Sequence, residues 1–243
     1  MFRPLIPGLI AALCPLLLHA QDAPAAGSPA TEEAKTKGLK FQVSAWGDWS
    51  GAPLFAQVEA KKYTQLKIAD MALTEAMPFK REEGITLYEK VEAKDGKEEG
   101  YKPKFHVTVP ADIKTPLVLL LPGKDKQMIP RVYELDPSGY PAGAYRFVNL
   151  SPIPVLATVN ETRTTVPPNG DKIVNRSPKA DERVQITGTV MGQDGVPQKL
   201  FSTMAINRTT KRMMMFFYPA TTTADSATLM CRSLVDFVEP AKP

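Results

Sequence analysis

Acid–base and nucleophilic chemistry draws most often on histidine, and this chain of 243 residues has two, His19 and His106. His19 falls in a segment expected to be cleaved off, which leaves His106. It lies in the alternating stretch Lys104-Phe-His-Val-Thr108, where Phe105 and Val107 take one face and His106 the polar one. No Gly-x-Ser-x-Gly elbow accompanies it. His106 therefore reads as an exposed strand histidine, with a hydrolase or lyase using His106 and carboxylates gathered by folding as the alternative. Zinc requires three or four ligands at workable spacing. His106 and Cys231, 125 positions apart, do not provide them.

Other patterns also favour structure over catalysis. Lys94-Asp-Gly-Lys-Glu-Glu-Gly100 lacks the alternating oxygen ligands of a calcium loop and reads as a solvated hairpin. Glu82-Glu83 and Asp181-Glu182 are adjacent, so in strands or loops they diverge instead of facing each other across a glycosidase cleft. Gly188, Gly192 and Gly195 fit no nucleotide fingerprint. The run Met213-Met-Met-Phe-Phe217 offers thioethers to a soft metal, but consecutive strand residues alternate faces, so the run reads as core. Neither a metal nor a cofactor is expected. Arg208, Lys211 and Arg212 read as solvated charges at a hairpin tip, and Cys231, among Leu229, Met230 and Leu234, as a small buried hydrophobe.

The candidate ligand-binding residues are Trp46 and Trp49. Spaced by three, they point to opposite faces of a regular strand unless Gly47 introduces a bulge. An exposed indole can stack on a sugar ring or anchor a protein. The competing expectation is that both fill the core and edge of the first domain.

The elements that position these residues are strands. Val184, Ile186 and Val190 alternate with Gln185, Thr187 and Thr189, while Leu117–Leu121 and Met213–Tyr218 are unbroken apolar runs that end at prolines, as strands buried on both faces do. Asp95-Gly96, Asn169-Gly170 and Asp194-Gly195 are turn dipeptides, and the 23 prolines suit edges and connections. Residues Ile68 to Met77 read as one short helix.

Repetition sets the domain plan. Pro53-Leu-Phe-Ala-Gln-Val58 returns as Pro154-Val-Leu-Ala-Thr-Val159, 101 positions on; Phe105 returns as Phe201, 96 on, and Pro122 as Pro219, 97 on. A unit of about 100 residues is one β-sandwich. The expectation is all-β: two tandem Ig-like β-sandwich domains over residues 38–136 and 143–239, behind a signal peptide (1–20) and a disordered tether (21–37). Arg3, the apolar run Leu5–Leu18 and Ala20 compose the export signal. The tether has no aromatic residue with which to offset the entropy of ordering.

Residues 140–151, Tyr-Pro-Ala-Gly-Ala-Tyr-Arg-Phe-Val-Asn-Leu-Ser, followed by a strand and Val166-Pro-Pro-Asn-Gly170, resemble a family of uncharacterised bacterial exported proteins with tandem small β-sandwich domains. The resemblance covers mainly the second half and implies fold and export, with no activity or site residues. Lys and Arg are interspersed with Asp and Glu at a formal net charge of +4, which does not make a nucleic-acid stripe, and no stretch is long and apolar enough for a transmembrane helix. The expected function is a non-catalytic exported module, periplasmic or extracellular, that presents a sandwich surface to a protein or glycan partner; the alternative is a periplasmic assembly factor or chaperone.

Overall fold

A computed structural model describes residues 38–47, 49–92, 100–123, 127–176, 182–192, 195–219 and 229–238. The segments read as signal peptide and tether, the Asp95-Gly96 turn and Asp194 lie outside them. Among the described residues, the alternating stretches and the two apolar runs form sixteen strands. The first eight are β1 (Leu39–Ala45), β2 (Leu54–Glu59), β3 (Lys62–Gln65), β4 (Met77–Phe79), β5 (Ile85–Val91), β6 (Gly100–Val107), β7 (Pro116–Pro122) and β8 (Met128–Glu134). The second eight are β9 (Tyr145–Asn149), β10 (Val155–Val159), β11 (Thr162–Val166), β12 (Asp171–Val174), β13 (Arg183–Met191), β14 (Pro197–Ile206), β15 (Lys211–Pro219) and β16 (Leu229–Phe237).

Strands β4-β1-β7-β8 and β3-β2-β5-β6 make the two sheets of a first sandwich, and β12-β9-β15-β16 and β11-β10-β13-β14 repeat both orders eight strands later. The chain is all-β, two tandem sandwiches of one topology. Finer features recur too. β1 runs parallel to β7, with Val43 opposite Val118, as β9 does to β15, with Phe147 opposite Met215. A bulge interrupts β5–β6 between Leu87 and Tyr88, and another interrupts β13–β14 between Gly188 and Thr189. Phe105 and Phe201 sit at the same point of the two bulges, opposite Leu87 and Gly188. Turn chemistry fits as well: Asn169 adopts φ 52° and Gly195 φ 74°, the left-handed region that Asn and Gly enter most readily.

Each sandwich encloses a core, the first around Phe41, Val43, Leu54, Leu87, Val118 and Leu120, the second around Phe147, Val155, Ile186, Met213, Met215 and Phe217. The two unbroken apolar runs are β7 and β15. Their inward residues join these cores, while Leu117, Leu119 and Leu121 of β7 and Met214 and Phe216 of β15 point the other way and meet in a third cluster with Leu234. Tyr133 of β8 reaches across to Phe216 edge-on, ring centroids 5.8 Å apart. The β1 and β9 sheets are thus apolar on both faces because each lies between its own partner sheet and the other sandwich.

Two local expectations are corrected. Residues Ile68 to Met77 form no helix. Met71 has φ 48°, and the segment lends its polar groups to β1, with the Met71 and Thr74 amides donating to the Ala45 and Val43 carbonyls at 2.9 Å. Strand β4 pairs only with Leu39–Phe41, so the rest of the β1 edge takes its partners from this loop. Nor is Arg212 a solvated tip charge: only 4% of it is exposed. Its Nη2 lies 2.6 Å from Asp236, its Nη1 donates to the Tyr140 carbonyl, and its guanidinium covers the Tyr140 ring at 4.6 Å.

Truncating Phe216 to Ala removes an aromatic side chain from the contact between the sandwiches. It should cost about 3–5 kcal/mol, whereas Ile129→Ala on the exposed side of β8 should stay within about 0.5 kcal/mol, both read from urea unfolding.

Candidate functional site

Trp46 and Trp49 leave the end of β1 in different directions. Gly47, at φ 88°, turns the chain between them. Trp46 enters the contact between the sandwiches, where its ring stands edge-on to Phe216 at 5.7 Å and to Tyr218 at 4.6 Å. Arg232 of β16 lies over that ring at 5.3 Å and pairs with Asp70 at 2.5 Å. The other oxygen of Asp70 accepts from the Gly47 amide at 2.8 Å. Indole, guanidinium and carboxylate form a brace joining the first sandwich to the second. Edge-on aromatic pairs and cation–π contacts are each worth of order 0.5–1.5 kcal/mol.

Trp49 turns towards the first core. Its ring meets Phe105 at 6.5 Å and an interplanar angle of 70°, and its Nε1 donates to the Ala52 carbonyl at 3.0 Å. Gly51 lies directly against the indole, and a Cβ there would fall 2.7 Å from Cζ2. Together the two tryptophans line a cleft of about 600 Å³, whose other walls are Phe105, Met128, Glu89 and Lys104. The Glu89 side chain is 13% exposed, with the Lys104 ammonium at 2.9 Å and that of Lys102 at 3.6 Å. The hydrogen bond from Lys104, stronger than the opposing effect of burial, holds the Glu89 carboxyl below the usual glutamate range.

The duplicated topology supplies an internal comparison. The Trp46 amide donates to the Leu120 carbonyl as the Leu150 amide donates to Phe217, so Trp46 corresponds to Leu150, while the shorter connection from β9 to β10 leaves Trp49 with no residue-for-residue counterpart. Lys104 and Leu200 are the unpaired residues of the two bulges, and Glu89 and Val190 each follow the bulge by the same step. Met128 faces Pro122 as Leu229 faces Pro219. In the second sandwich, then, Val190, Leu200 and Leu229 pack on the core. In the first, Met128 also packs on the core, but Glu89 and Lys104 stand where Val190 and Leu200 do and line an open cleft beside the Trp49 indole. Gly188 contributes to the difference, because it leaves room for the Phe201 ring to lie against it, whereas Leu87 fills that space in the first copy.

A second feature escapes sequence reasoning. Phe55, Tyr63, Tyr88 and Tyr101 come from all four strands of the outer sheet and gather on its solvent side. Tyr63 and Tyr101, on opposite edge strands, stack at 3.9 Å with Phe55 and Tyr88 edge-on to them at 5.0 Å. Solvated sheet faces are ordinarily polar. The only signal was that each aromatic occupies an outward position of its strand, and their convergence needs the strand order.

The remaining candidates lie elsewhere. His106 is exposed on β6, where Nδ1 pairs with the Thr86 hydroxyl at 2.9 Å. Met213 and Met215 face one core and Met214 another. Among the described residues, no three His, Cys, Asp or Glu side chains gather to hold a metal ion. Burial pushes the Cys231 thiol up to about 12.

Two outcomes follow. Cys231 should not react with a thiol reagent at neutral pH in the folded protein and should react fully in denaturant, as absorbance of the released chromophore will show. A carboxyl with a lowered pKa stabilises the fold above its unfolded pKa, and that stabilisation disappears as pH falls through the folded value. The wild type should therefore lose its stability margin over Glu89→Gln on acidification below the usual glutamate range, measured as urea midpoints across a pH series. Neither the models of known protein families nor the curated proteins contain a match to this chain, so any function has to be argued from this geometry.

Proposed function

We propose that this chain is a non-catalytic exported module that captures a protein or glycan partner of the cell envelope or exterior in the cleft of its first sandwich. The observation that carries this reading is the divergence between the copies. At corresponding positions the second sandwich has the aliphatic Val190 and Leu200, while the first has the ion pair of Glu89 and Lys104 beside two half-buried indoles. Apolar residues there would give the fold a better-covered core, so the cleft sacrifices burial that the second copy retains. The site is also pre-organised: Trp46 is clamped by Phe216, Tyr218 and Arg232, and Glu89 by two lysines. The export signal and tether read from residues 1–37 support a location in the periplasm or beyond the cell.

A second reading, an assembly factor that lends a strand edge to a client, has one observation in its favour. β14 is a ten-residue edge strand, and Met204 and Ile206 on it are 59% and 45% exposed. Long exposed edges with apolar side chains are templates for strand addition.

The test is a cleft closed with the second copy's own residues. Glu89→Val combined with Lys104→Leu should keep or raise the urea midpoint and reduce by at least about tenfold the partner retained from an envelope extract assayed for both proteins and glycans. Undiminished retention by the closed variant would remove the cleft from consideration. A turnover activity lost on His106→Ala in a still-folded protein would replace the binding reading with an enzymatic one.

A further inference from the structure

We propose that the ligand of the cleft is a neutral saccharide unit, one ring of a longer glycan, stacked on Trp49 and hydrogen-bonded by Glu89. The inference rests on the reading of the cleft as a binding site and names what it binds. Size is the first argument. A volume of about 600 Å³ suits a small ligand or one unit of a chain.

The chemistry of the walls is the second. The rings of Trp49 and Phe105 meet at 70° and form an angled aromatic corner. The negative face of an aromatic ring attracts the polarised C–H bonds on the flat side of a pyranose, and it has no comparable affinity for a hydrated ion. The same cleft is lined by Glu89, an acceptor-only carboxylate whose two oxygens provide more lone pairs than its two lysine contacts use. Sugar hydroxyls are donors in search of such acceptors, and a charged acceptor makes the stronger hydrogen bond. Lys104, whose side chain is 44% exposed, can donate to a ring or hydroxyl oxygen, and the exposed Gln127 amide at the mouth can both donate and accept.

Charge is the third argument. The cleft's carboxylate, Glu89, is already shared by two ammoniums, Lys104 at 2.9 Å and Lys102 at 3.6 Å. A phosphate, sulfate or nucleic-acid backbone would bring its charge against Glu89, and a cationic peptide against Lys104. A ligand with many hydroxyls and no charge satisfies both. The clamped Trp46 behind the site and Gly51 against the Trp49 ring hold the aromatic wall in place before a ligand arrives.

The experiment uses the full-length protein on an array of neutral hexose and N-acetylhexosamine oligomers, followed by calorimetric titration of the oligomer most strongly retained. The expected result is saturable binding that changes less than about twofold between low and high salt, because a neutral ligand brings no charge to be screened. Trp49→Ala should weaken it at least about tenfold, Trp49→Phe should restore part of the loss, and Glu89→Gln should weaken it by several-fold, with urea unfolding confirming that each variant is folded. Failure to bind any neutral oligomer, or binding unaffected by Trp49→Ala, overturns the saccharide inference. If the envelope extract then still yields a protein that the Glu89→Val, Lys104→Leu variant releases, the cleft is a peptide site and only the saccharide inference fails. If that variant releases nothing, the binding-module reading fails with it.

Discussion

Two strands, β7 and β15, cannot tolerate water on either face. A strand in which every residue from Leu117 to Leu121, or from Met213 to Phe217, is apolar must find an apolar surface above and below, and a single sandwich covers only one side. The second surface is the other sandwich. Burying Leu117, Leu119, Met214 and Phe216 in a shared cluster is therefore what makes one body of two similar halves. The brace of Trp46, Arg232 and Asp70 depends on that cluster for its spacing, and so does the Arg212–Asp236 pair, which is held beneath Tyr140 at the cluster's edge.

With the inner sheets occupied by each other, the surfaces left for partners are the outer sheets and the ends of the sandwiches. The cleft lies at such an end, where the chain leaves β1 for β2. Its polar pair is open to water on one side, with the Lys104 side chain 44% exposed, so solvent screens the attraction between the two charges. Such a pair is a weak source of stability, which the second copy's aliphatic residues at the same positions illustrate. The outer aromatic face is likewise peculiar to the first sandwich. By the same correspondence, Leu156 stands in the second copy where Phe55 does and Thr189 where Tyr88 does.

Strand character was legible because it depends on near neighbours. Period-two alternation in Val184–Met191 and the proline stops after Leu121 and Tyr218 are local signals, and the alternation of Met213, Met214 and Met215 between two cores follows from the pleat alone. The offsets relating Phe105 to Phe201 were legible as repetition, and the bulges give them a structural cause. What could not be read depends on partners distant in sequence. Arg212 looked like a turn charge until Asp236 and the Tyr140 carbonyl were brought to it from either side. Ile68–Met77 reads as a short helix in isolation, but the free edge of β1 needed its amides. Trp46 and Trp49 were recognisable as candidates, yet only the fold assigns one to the brace and the other to the cleft. Glu89 and Lys104 looked like two of many surface charges, and their pairing across the β5–β6 bulge is a tertiary fact.

The parallel pairing of β1 with β7, and of β9 with β15, bears on how the molecule is made. Hairpins such as β2–β3 and β10–β11 close as soon as they are synthesised, but the first strand of each half has no sheet neighbour beyond its short edge partner until almost the whole half exists. Contacts of such long sequence separation slow folding, because chain entropy must be lost before they reward it. A nascent chain of this topology therefore remains open until late, and its first sandwich cannot shield the outward leucines of β7 until the second has grown to cover them.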